Sequence, residues 1–220
     1  MPTILITGAN RGIGKRLAEL HDADGWSVIA ASRDPANCNA PGEKIALDVT
    51  DDASVAAAAE ALSGRPIDVL WNNAGVYLDK NVPLNDLDLE KWEETFRVNT
   101  IGPIRLARAL MDNVARSDRK VLAFTTSRMG SIAQLSSGAY AYRSSKTALN
   151  MAVSVLTKDV APQGIKTVLL HPGWVQTDMG GGAADIDADT SAAGMKSIVE
   201  ELDPSQSGKF LNYDGKEFPW

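Results

Sequence analysis

Tyr142 and Lys146 form the pair of side chains in this chain that is best suited to proton transfer. They are four residues apart in "YRSSK", so on a helix they share one face. A free phenol has a pKa of about 10, and a nearby ammonium favours the phenolate and lowers that pKa. Tyr142 is therefore predicted to exchange a proton with a carbonyl or alcohol oxygen near neutral pH. The alternative is that such a pair forms a solvated helix face.

The glycine-rich stretch "TGANRGIG" near the start of the chain predicts a phosphate-binding turn. Gly8, Gly12 and Gly14 separate the apolar run 4–6 from a helical pattern. Backbone N–H groups at such a strand-to-helix turn point at one spot, where the helix dipole adds partial positive charge. Glycines also let the backbone approach a dinucleotide pyrophosphate. The spacing Gly-x-x-x-Gly-x-Gly differs from Gly-x-Gly-x-x-Gly, so a left-handed turn with helix-packing glycines remains the alternative.

The composition is that of a globular protein with neither a nucleic-acid nor a membrane partner. The chain has 220 residues and a formal net charge of −6, whereas nucleic acids and anionic membranes require a basic surface. No apolar run approaches the roughly 20 residues that span a bilayer. Cys38 is the only cysteine, which excludes an internal disulfide and fits a reducing compartment. Because no signal-peptide pattern is visible, we expect a cytoplasmic protein.

Apolar runs rich in β-branched residues alternate with helical patterns along the chain. This alternation is typical of a parallel sheet covered by helices. We predict a single α/β domain over 1–220, a Rossmann-type doubly wound fold with a seven-stranded, mostly parallel sheet and helices on both faces. The predicted strands are Thr3–Thr7, 27–31, 44–49, 67–72, 120–126, Lys166–His171 and 208–213. The predicted helices are 13–23, 51–63, 89–115 and 141–160.

Two connections carry no strong helical pattern. The segment 33–43 is too short for a full helix, so we expect a loop or a single turn. The stretch 180–190, "GGGAADIDADT", follows the sixth strand. Its glycines and small residues predict either a surface loop or a lid over a pocket.

Further motifs follow at the predicted strand ends. "LDV" ends the third strand, "NNAG" the fourth, "TTSRMGS" the fifth and "HPGWVQTDM" the sixth, and "RVNTIG" lies in the helix between the fourth and fifth strands. Together with the glycine turn and "YRSSK", this series covers nearly the whole chain and resembles the short-chain dehydrogenase/reductase family. "AYAYRSSKTALN", "HPGWVQTDMGG" and the closing "NYDGKEFPW" are similar to its C-factor and sniffer-type carbonyl reductase subgroup.

The resemblance implies a catalytic set and a dinucleotide site. Tyr142 would donate the proton, Ser127 would hydrogen-bond the substrate oxygen, and Lys146 would also bind the nicotinamide ribose. Asn99 would hold a water that links Lys146 to solvent. The implied cofactor-binding residues are Gly8, Asn10, Arg11, Gly12, Ile13, Gly14, Ser32, Arg33, Asp48, Val49, Asn73, Ala74, Gly75, Tyr142, Lys146, Pro172, Gly173, Val175 and Thr177.

The assignment of the tyrosine departs from the spacing that is common in the family. There the serine commonly lies about thirteen residues before the tyrosine, and Tyr140 stands at that distance from Ser127. Tyr140 is followed four residues later by Ser144 rather than by a lysine. We therefore assign the proton donor to Tyr142, and we expect Tyr140 to line the pocket or to pack against it.

The residues at the end of the second strand indicate the cofactor. NAD sites often carry an acid there for the ribose 2′-OH, whereas this chain has Ser32 followed by Arg33. The guanidinium groups of Arg33 and Arg11 would bind a 2′-phosphate, so NADP(H) is expected in preference to NAD(H). Asp34 is the contrary feature, since an inward carboxylate would repel the phosphate. The alternative for both arginines is a solvated surface.

The other reactive side chains are expected to be structural. His171 is predicted to be buried and bonded to the backbone, His21 to face solvent near a helix end, and Cys38 to be an inert loop thiol. No His, Cys and Asp cluster has metal-ligand spacing, so no metal is predicted. Trp174, just after Pro-Gly, is expected near the nicotinamide.

These features predict an NADPH-dependent oxidoreductase that reduces a small carbonyl compound by hydride transfer, with tyrosine as proton donor. The alternative is a C-factor-like signalling or redox-sensing protein that binds NADP(H) with little turnover. Pocket residues are expected from 129–137, Tyr140 and 180–190. Their apolar character favours an aldehyde, dione or quinone. The resemblance also implies a homodimer or homotetramer, built through the helices predicted at 89–115 and 141–160.

Overall fold

The seven predicted strands form one parallel sheet in a computed structural model that describes residues 1–220. The strands are β1 Thr3–Thr7, β2 Ser27–Ser32, β3 Glu43–Ala46, β4 Val69–Asn72, β5 Val121–Thr125, β6 Lys166–His171 and β7 Phe210–Asn212. They lie in the order β3-β2-β1-β4-β5-β6-β7, and every pairing is parallel. The predicted fold class is therefore confirmed.

Helices cover both faces of this sheet. They are α1 Gly12–Ala23, α2 Asp52–Ala61, α3 Leu89–Phe96, α4 Gly102–Ala109, α5 Met111–Ala115, α6 Tyr140–Val160 and α7 Ala188–Glu200. Leu5 and Leu70 belong to a buried cluster with side chains of α2, α4 and α6. Ile6 and Trp71, the next residues along these strands, belong to a second cluster with α1 and α7. Every helix is too short or too polar to cross a membrane.

The strand order reverses between β1 and β4, which lie side by side although β2 and β3 intervene in the chain. At such a switch point the connections diverge and leave a crevice at the carboxyl ends of the strands. Thr7 joins these two strand ends, because its Oγ1 accepts the N–H groups of Asn73 and Ala74, both at 2.9 Å.

The helix predicted over 89–115 is interrupted twice. The chain leaves α3 through a π-helical turn, Arg97–Ile101, and breaks again at Leu110 between α4 and α5. Single π turns are often found at functional sites, because the extra residue rotates the side chains that follow. Here the turn contains Asn99, whose side chain is fully buried.

Two further boundaries differ from the sequence prediction. The loop predicted over 180–190 ends at Asp187, whose carboxylate accepts the Thr190 N–H at 2.7 Å and caps α7. Helix α7 was not predicted, because its first half consists of alanine and small polar residues. The third strand ends at Ala46 rather than at 49, because the Asp48 carboxylate accepts the N–H and hydroxyl of Thr50 and turns the chain. The segment 34–42 contains no helix, as expected.

His21 is buried, contrary to the prediction. Its Nδ1 lies 2.8 Å from the Leu17 carbonyl, its ring is edge-on to Trp26 and Trp71, and its Nε2 has no partner. Burial lowers the pKa of His21, although the bond to Leu17 opposes this effect. The folded protein therefore holds this imidazole in its neutral form.

We expect the free energy of unfolding to fall as the pH drops below 6.5, the pKa of an exposed histidine. In that range the unfolded chain binds a proton at His21 that the folded protein excludes. The part of this loss that comes from His21 is about 1.4 kcal/mol per pH unit until its lowered pKa is reached. His21→Phe keeps an aromatic ring against the tryptophans and should reduce this acid sensitivity in urea titrations at pH 7 and pH 5. An unchanged pH dependence in the variant would contradict the assignment.

Candidate active site

The carboxyl ends of the central strands open into a cavity of about 540 Å³. Ser127, which follows β5, and Tyr142, in the first turn of α6, both line it. The predicted cofactor residues that line it are Tyr142, Ile13, Pro172, Gly173, Val175 and Thr177. One cavity therefore contains both the predicted proton-transfer groups and part of the predicted dinucleotide site.

Lys146 lies one helical turn beyond Tyr142 on α6 and is 4% exposed. Its Nζ donates to the Thr125 carbonyl at 2.9 Å and lies 5.9 Å from the centre of the Tyr142 ring. Ser127 accepts the Met129 N–H at 3.1 Å, and its hydroxyl is near enough to that of Tyr142 to affect the pKa of the phenol. The three side chains are therefore arranged as a serine–tyrosine pair with a cation behind the ring.

Burial changes the proton affinity of both titratable groups. It raises the pKa of Tyr142 to about 12, although the nearby Ser127 hydroxyl opposes the rise. It lowers the pKa of Lys146 to about 8. The expectation of a lowered tyrosine pKa is therefore wrong for the protein alone, because the cost of desolvating the phenolate is the larger effect. At neutral pH, Tyr142 is a neutral phenol and can donate a proton.

Asn99 connects the loop after β4 to α6. Its Nδ2 donates to the Val76 carbonyl at 2.9 Å and to the Ser145 hydroxyl at 3.0 Å, and its Oδ1 accepts the Val76 N–H at 2.9 Å. Gly75 lies beside both groups of the predicted relay, since a Cβ there would be 3.3 Å from Asn99 Oδ1 and 3.7 Å from Lys146 Nζ. Both protons of the Asn99 amide are committed, so the side chain could bind the predicted water only through Oδ1.

The first turn of α6 is capped by a distant carboxylate. Ala139, the residue before the helix, has φ of 56° and no capping side chain. Asp79 instead accepts the N–H groups of Ala141 at 2.7 Å and Tyr142 at 3.2 Å, and it is 4% exposed. An anion at a helix N-terminus is favoured by the dipole and by charge-assisted bonds. Asp79 therefore fixes the backbone that carries Tyr142.

The two neighbouring tyrosines have different positions. Tyr77 lines the cavity and stacks on Tyr142, with ring centres 4.3 Å apart and planes at 21°. Tyr140 is 39% exposed, and its ring lies 6.2 Å from that of Trp92. Tyr140 was expected either to line the pocket or to pack against it, and it does not line the cavity. The geometry therefore brings Tyr142, and not Tyr140, to Ser127 and Lys146.

The glycine turn is packed so closely that side chains are excluded. Gly8 has φ of 66°, and a Cβ there would be 3.1 Å from the Ala74 Cα. A Cβ at Gly14 would lie 2.4 Å from the Gly8 carbonyl oxygen and 2.6 Å from Asn73 Nδ2. This packing holds the start of α1 against the ends of β1 and β4, as a dinucleotide phosphate site requires.

The end of β2 also fits a phosphorylated ribose. Ser32 Oγ is buried and has no hydrogen-bond partner, so a ligand oxygen could satisfy it. Arg33 is exposed beside it. The Asp34 carboxylate accepts the N–H and Nδ2 groups of Asn37 at 3.3 and 2.6 Å. These bonds hold the Asp34 carboxylate against its own turn and lower its pKa, so the group stays ionised there.

Other predicted cofactor residues have competing contacts. Arg11 makes an exposed ion pair with Asp178 at 2.6 Å, which compensates its charge. Val49 is buried in the first cluster, and its carbonyl accepts Arg105 Nη1 at 2.7 Å. Asn73 donates from Nδ2 to the Thr7 carbonyl. Asn10, Gly12 and Asp48 also lie around the strand ends but outside the cavity lining.

The lining is more charged than the sequence analysis expected. Lys80, Arg128 and Arg143 line the cavity, and no aspartate or glutamate does. The expected segments contribute only Met129, Gln134, Ser136 and Gly180. Arg143 lies inside the "YRSSK" motif, so its charge was visible in the sequence. Lys80 and Asp79 follow "NNAG" by a few residues, with no local pattern that would assign them.

His171 and Trp174 also line the cavity. His171 is buried as predicted, but its Nδ1 has no partner, so the expected backbone bond is absent. Burial, assisted by the charge of Arg128, lowers its pKa to about 3. Trp174 Nε1 donates to the Gly180 carbonyl at 3.0 Å and leaves the ring 42% exposed.

Comparison with known proteins finds relatives along most of the chain. The family model described as short chain dehydrogenase matches residues 2–186. The C-signal protein of Myxococcus xanthus is 47% identical over 156 residues, which are 70% of this chain and 93% of that protein. NADPH-bound carbonyl reductase from chicken fatty liver has a TM-score of 0.91 at 33% identity, covering 100% of this chain and 99% of that one. Carbonyl reductase Sniffer of D. melanogaster has a TM-score of 0.93 at 31% identity, covering 100% of both chains.

Removing the Asp79 carboxylate should loosen the start of α6. Asp79→Ala leaves two buried N–H groups without a partner, at a cost of about 1–3 kcal/mol each. We expect a lower melting temperature and faster hydrogen exchange in peptides that cover Ala141 and Tyr142. Asp79→Asn keeps one acceptor oxygen and should give a smaller effect.

Asp88→Ala is the matched control, because Asp88 caps α3 through two N–H groups from an exposed position. It should change exchange in α3 and leave the start of α6 protected. Equal exchange at Tyr142 in the wild type and Asp79→Ala would show that the cap does not hold this turn.

Proposed function

The chain belongs to the short-chain dehydrogenase/reductase family, and from that premise we propose that it is a carbonyl reductase that uses NADPH. The observation that carries the proposal is the shared cavity of Ser127, Tyr142 and the segment 172–177, with Lys146 behind them. The bound cofactor supplies the hydride. The protein's own residues have to orient the carbonyl and provide the proton.

The roles of the side chains follow from their protonation states. Ser127 and Tyr142 hydrogen-bond the same carbonyl oxygen and hold it for reduction. Tyr142 donates its proton as the alcohol forms, which suits a phenol whose pKa is about 12. Lys146, with a pKa of about 8, is largely cationic at neutral pH and stabilises the phenolate left behind. A neutral phenol beside a cation is the arrangement that proton donation to a carbonyl requires.

The proposed preference for NADPH rests on the end of β2. Ser32 has an unsatisfied buried hydroxyl, Arg33 is exposed, and Asp34 is bonded to Asn37. Arg11 contributes less than the sequence indicated, because Asp178 compensates its charge. Arg33 is therefore the side chain that we expect to distinguish a 2′-phosphate from a 2′-hydroxyl.

We expect Tyr142→Phe to abolish most of the turnover. The variant keeps the ring that stacks on Tyr77 but loses the proton donor, so kcat for aldehydes, diones and quinones should fall by about a hundredfold or more. Loss of NADPH absorbance measures this, and fluorescence titration should give an NADPH Kd close to that of the wild type. Tyr140→Phe is the matched control and should keep most activity. Equal turnover by wild type and Tyr142→Phe would contradict the mechanism.

Arg33→Gln tests the cofactor assignment. Removing one charge-assisted contact to the 2′-phosphate should raise the NADPH Kd by about tenfold or more, with little change in the NADH Kd. Arg108→Gln removes an exposed charge of α4 outside the cavity and should change neither constant. If Arg33→Gln weakened both cofactors equally, its role would be general rather than specific to the 2′-phosphate.

A signalling or redox-sensing role is the second candidate. The similarity to the Myxococcus xanthus C-signal protein favours it. Such a protein would bind NADPH and leave the whole carbonyl panel unreduced. The presence of a neutral phenol beside Ser127 in one cavity favours the reductase, because binding alone needs no proton donor.

We also propose that two copies of the chain associate through α3 and α6. These helices pack side by side and expose Leu89, Met151 and Val155, with Ile101 of the π turn nearby. A homodimer would cover these side chains. Size-exclusion chromatography with light scattering tests for the dimer.

A further inference from the structure

The charge of the active-site cavity is opposite to that of the chain. Acids outnumber bases by 28 to 22 in the sequence, yet the cavity is lined by three cations and by no acid. None of the three makes an ion pair with a carboxylate. A cavity of this kind concentrates anions.

Arg143 is held in place without a counter-charge. Its Nε donates to the Gly138 carbonyl at 3.1 Å, Nη1 lies 3.5 Å from the Met129 carbonyl, and Nη2 donates to the Ser136 hydroxyl. All three acceptors are neutral. The guanidinium has five N–H donors, so two remain for a ligand. Arg143 also follows Tyr142 directly in the chain, so its position is tied to that of the proton donor.

Lys80 and Arg128 extend the positive lining on exposed loops. Lys80 Nζ donates to the Met179 carbonyl at 3.1 Å, which joins the loop after β4 to the loop after β6 across the cavity. Two of its three N–H donors remain. Arg128 follows Ser127 and makes no side-chain hydrogen bond; its charge is near enough to His171 to disfavour protonation there.

Part of the remaining wall is apolar and aromatic, beside polar side chains such as Gln134 and Thr177. Tyr77, Trp174, Met129 and Met179 all line the cavity. Flat rings and thioethers pack well against a planar apolar ligand. The lining therefore fits a molecule with an apolar body, a carbonyl directed at Tyr142 and an anionic group at another end.

We propose that the substrate of this site carries a carboxylate, which binds Arg143 and is attracted by Lys80 and Arg128. The proposal rests on the proposed reductase function and adds the substrate class. A carboxylate matches the planar fork of a guanidinium through two parallel bonds. The proposal narrows the expected aldehyde, dione or quinone to an oxo- or formyl-carboxylate with an apolar or aromatic body.

Two aldehydes of matched shape test this inference. 4-Carboxybenzaldehyde carries the anion, and methyl 4-formylbenzoate has the same ring and carbonyl without the charge. We expect wild-type kcat/KM to favour the carboxylate by about tenfold, the effect of one charge-assisted contact. Arg143→Gln should bring the ratio close to one.

The variants separate charge from folding. Because Arg143 also supports the loop 136–138, its replacement could disturb packing. Lys80 and Arg128 are exposed, so Lys80→Gln and Arg128→Gln disturb packing less. Each of these two variants should lower the kcat/KM ratio by about twofold to fivefold. Arg108→Gln should leave it unchanged. Turnover of both aldehydes with no preference for the carboxylate, or a preference that survives Arg143→Gln, overturns the inference and leaves the reductase proposal standing. A higher NADPH Kd in Arg143→Gln would show that Arg143 binds the cofactor rather than the substrate. That result also overturns the inference.

A binding experiment decides the question if neither aldehyde is reduced. That result contradicts the reductase proposal, whereas the anion site can still be measured. Calorimetry should show that 4-(hydroxymethyl)benzoate binds the NADPH-loaded protein more tightly than its methyl ester does, and that Arg143→Gln removes the difference. Equal binding of the two alcohols overturns the inference.

Discussion

The start of α6 depends on a carboxylate that lies 62 residues earlier in the chain. Ala139 enters the helix from a left-handed conformation and cannot cap it, so the first N–H groups need a partner from elsewhere. Asp79 supplies both acceptor oxygens, and Tyr77, two residues earlier, stacks on the Tyr142 ring. The loop after β4 therefore holds Tyr142 by its backbone and by its ring. Asn99 fastens the same loop to α6 one turn further on through Val76 and Ser145.

This attachment matters because burial makes Tyr142 and Lys146 reluctant to ionise. In the closed interior a phenolate and an ammonium are each disfavoured, which moves their pKa values to about 12 and about 8. Burial thus separates two pKa values that nearly coincide in the free side chains, 10.0 for tyrosine and 10.5 for lysine. A proton that leaves Tyr142 creates an anion beside a cation that has only the Thr125 carbonyl as its hydrogen-bond partner. The charge pair formed during reduction is then favoured more strongly than either charge alone.

The sequence was most informative where the structure is locally determined. β1, β6 and the start of α1 follow from apolar runs and a glycine turn, and their predicted bounds differ from the structure by at most one residue. The grouping of Ser127 with Tyr142 and Lys146 came from the family resemblance, through one motif after β5 and one in α6. Asp79 could not be found this way, since its partners are distant in sequence. The π turn at Asn99 was equally hidden, because it inserts a residue into a pattern that looks continuous.

The burial of His21 and the charge of the cavity illustrate a second limit. Helix position alone suggested that His21 faces solvent, but α1 packs on Trp71 of the sheet and covers the imidazole. The cavity was expected to be apolar because the segments chosen for it were apolar. Its cations come instead from residues next to the catalytic ones, Arg128 after Ser127 and Arg143 after Tyr142. Because the end of β5 and the start of α6 meet at the cavity, the residues next to Ser127 and Tyr142 in the chain also line it.

Arg143 shows how a cation can remain beside an apolar cavity without a paired acid. Desolvating an isolated charge is costly, but this guanidinium is half-buried and keeps three neutral acceptors. Those contacts also fix the plane of its fork before any ligand arrives. An anion that binds there orders one side chain fewer, so less of its interaction energy is lost to conformational entropy. A paired carboxylate would cancel this advantage, because the ligand would first have to displace it. The lining contains no acid, and the hydrogen-bond acceptors of Arg143 are neutral. The guanidinium is therefore fixed in position and its charge is not compensated before an anion binds.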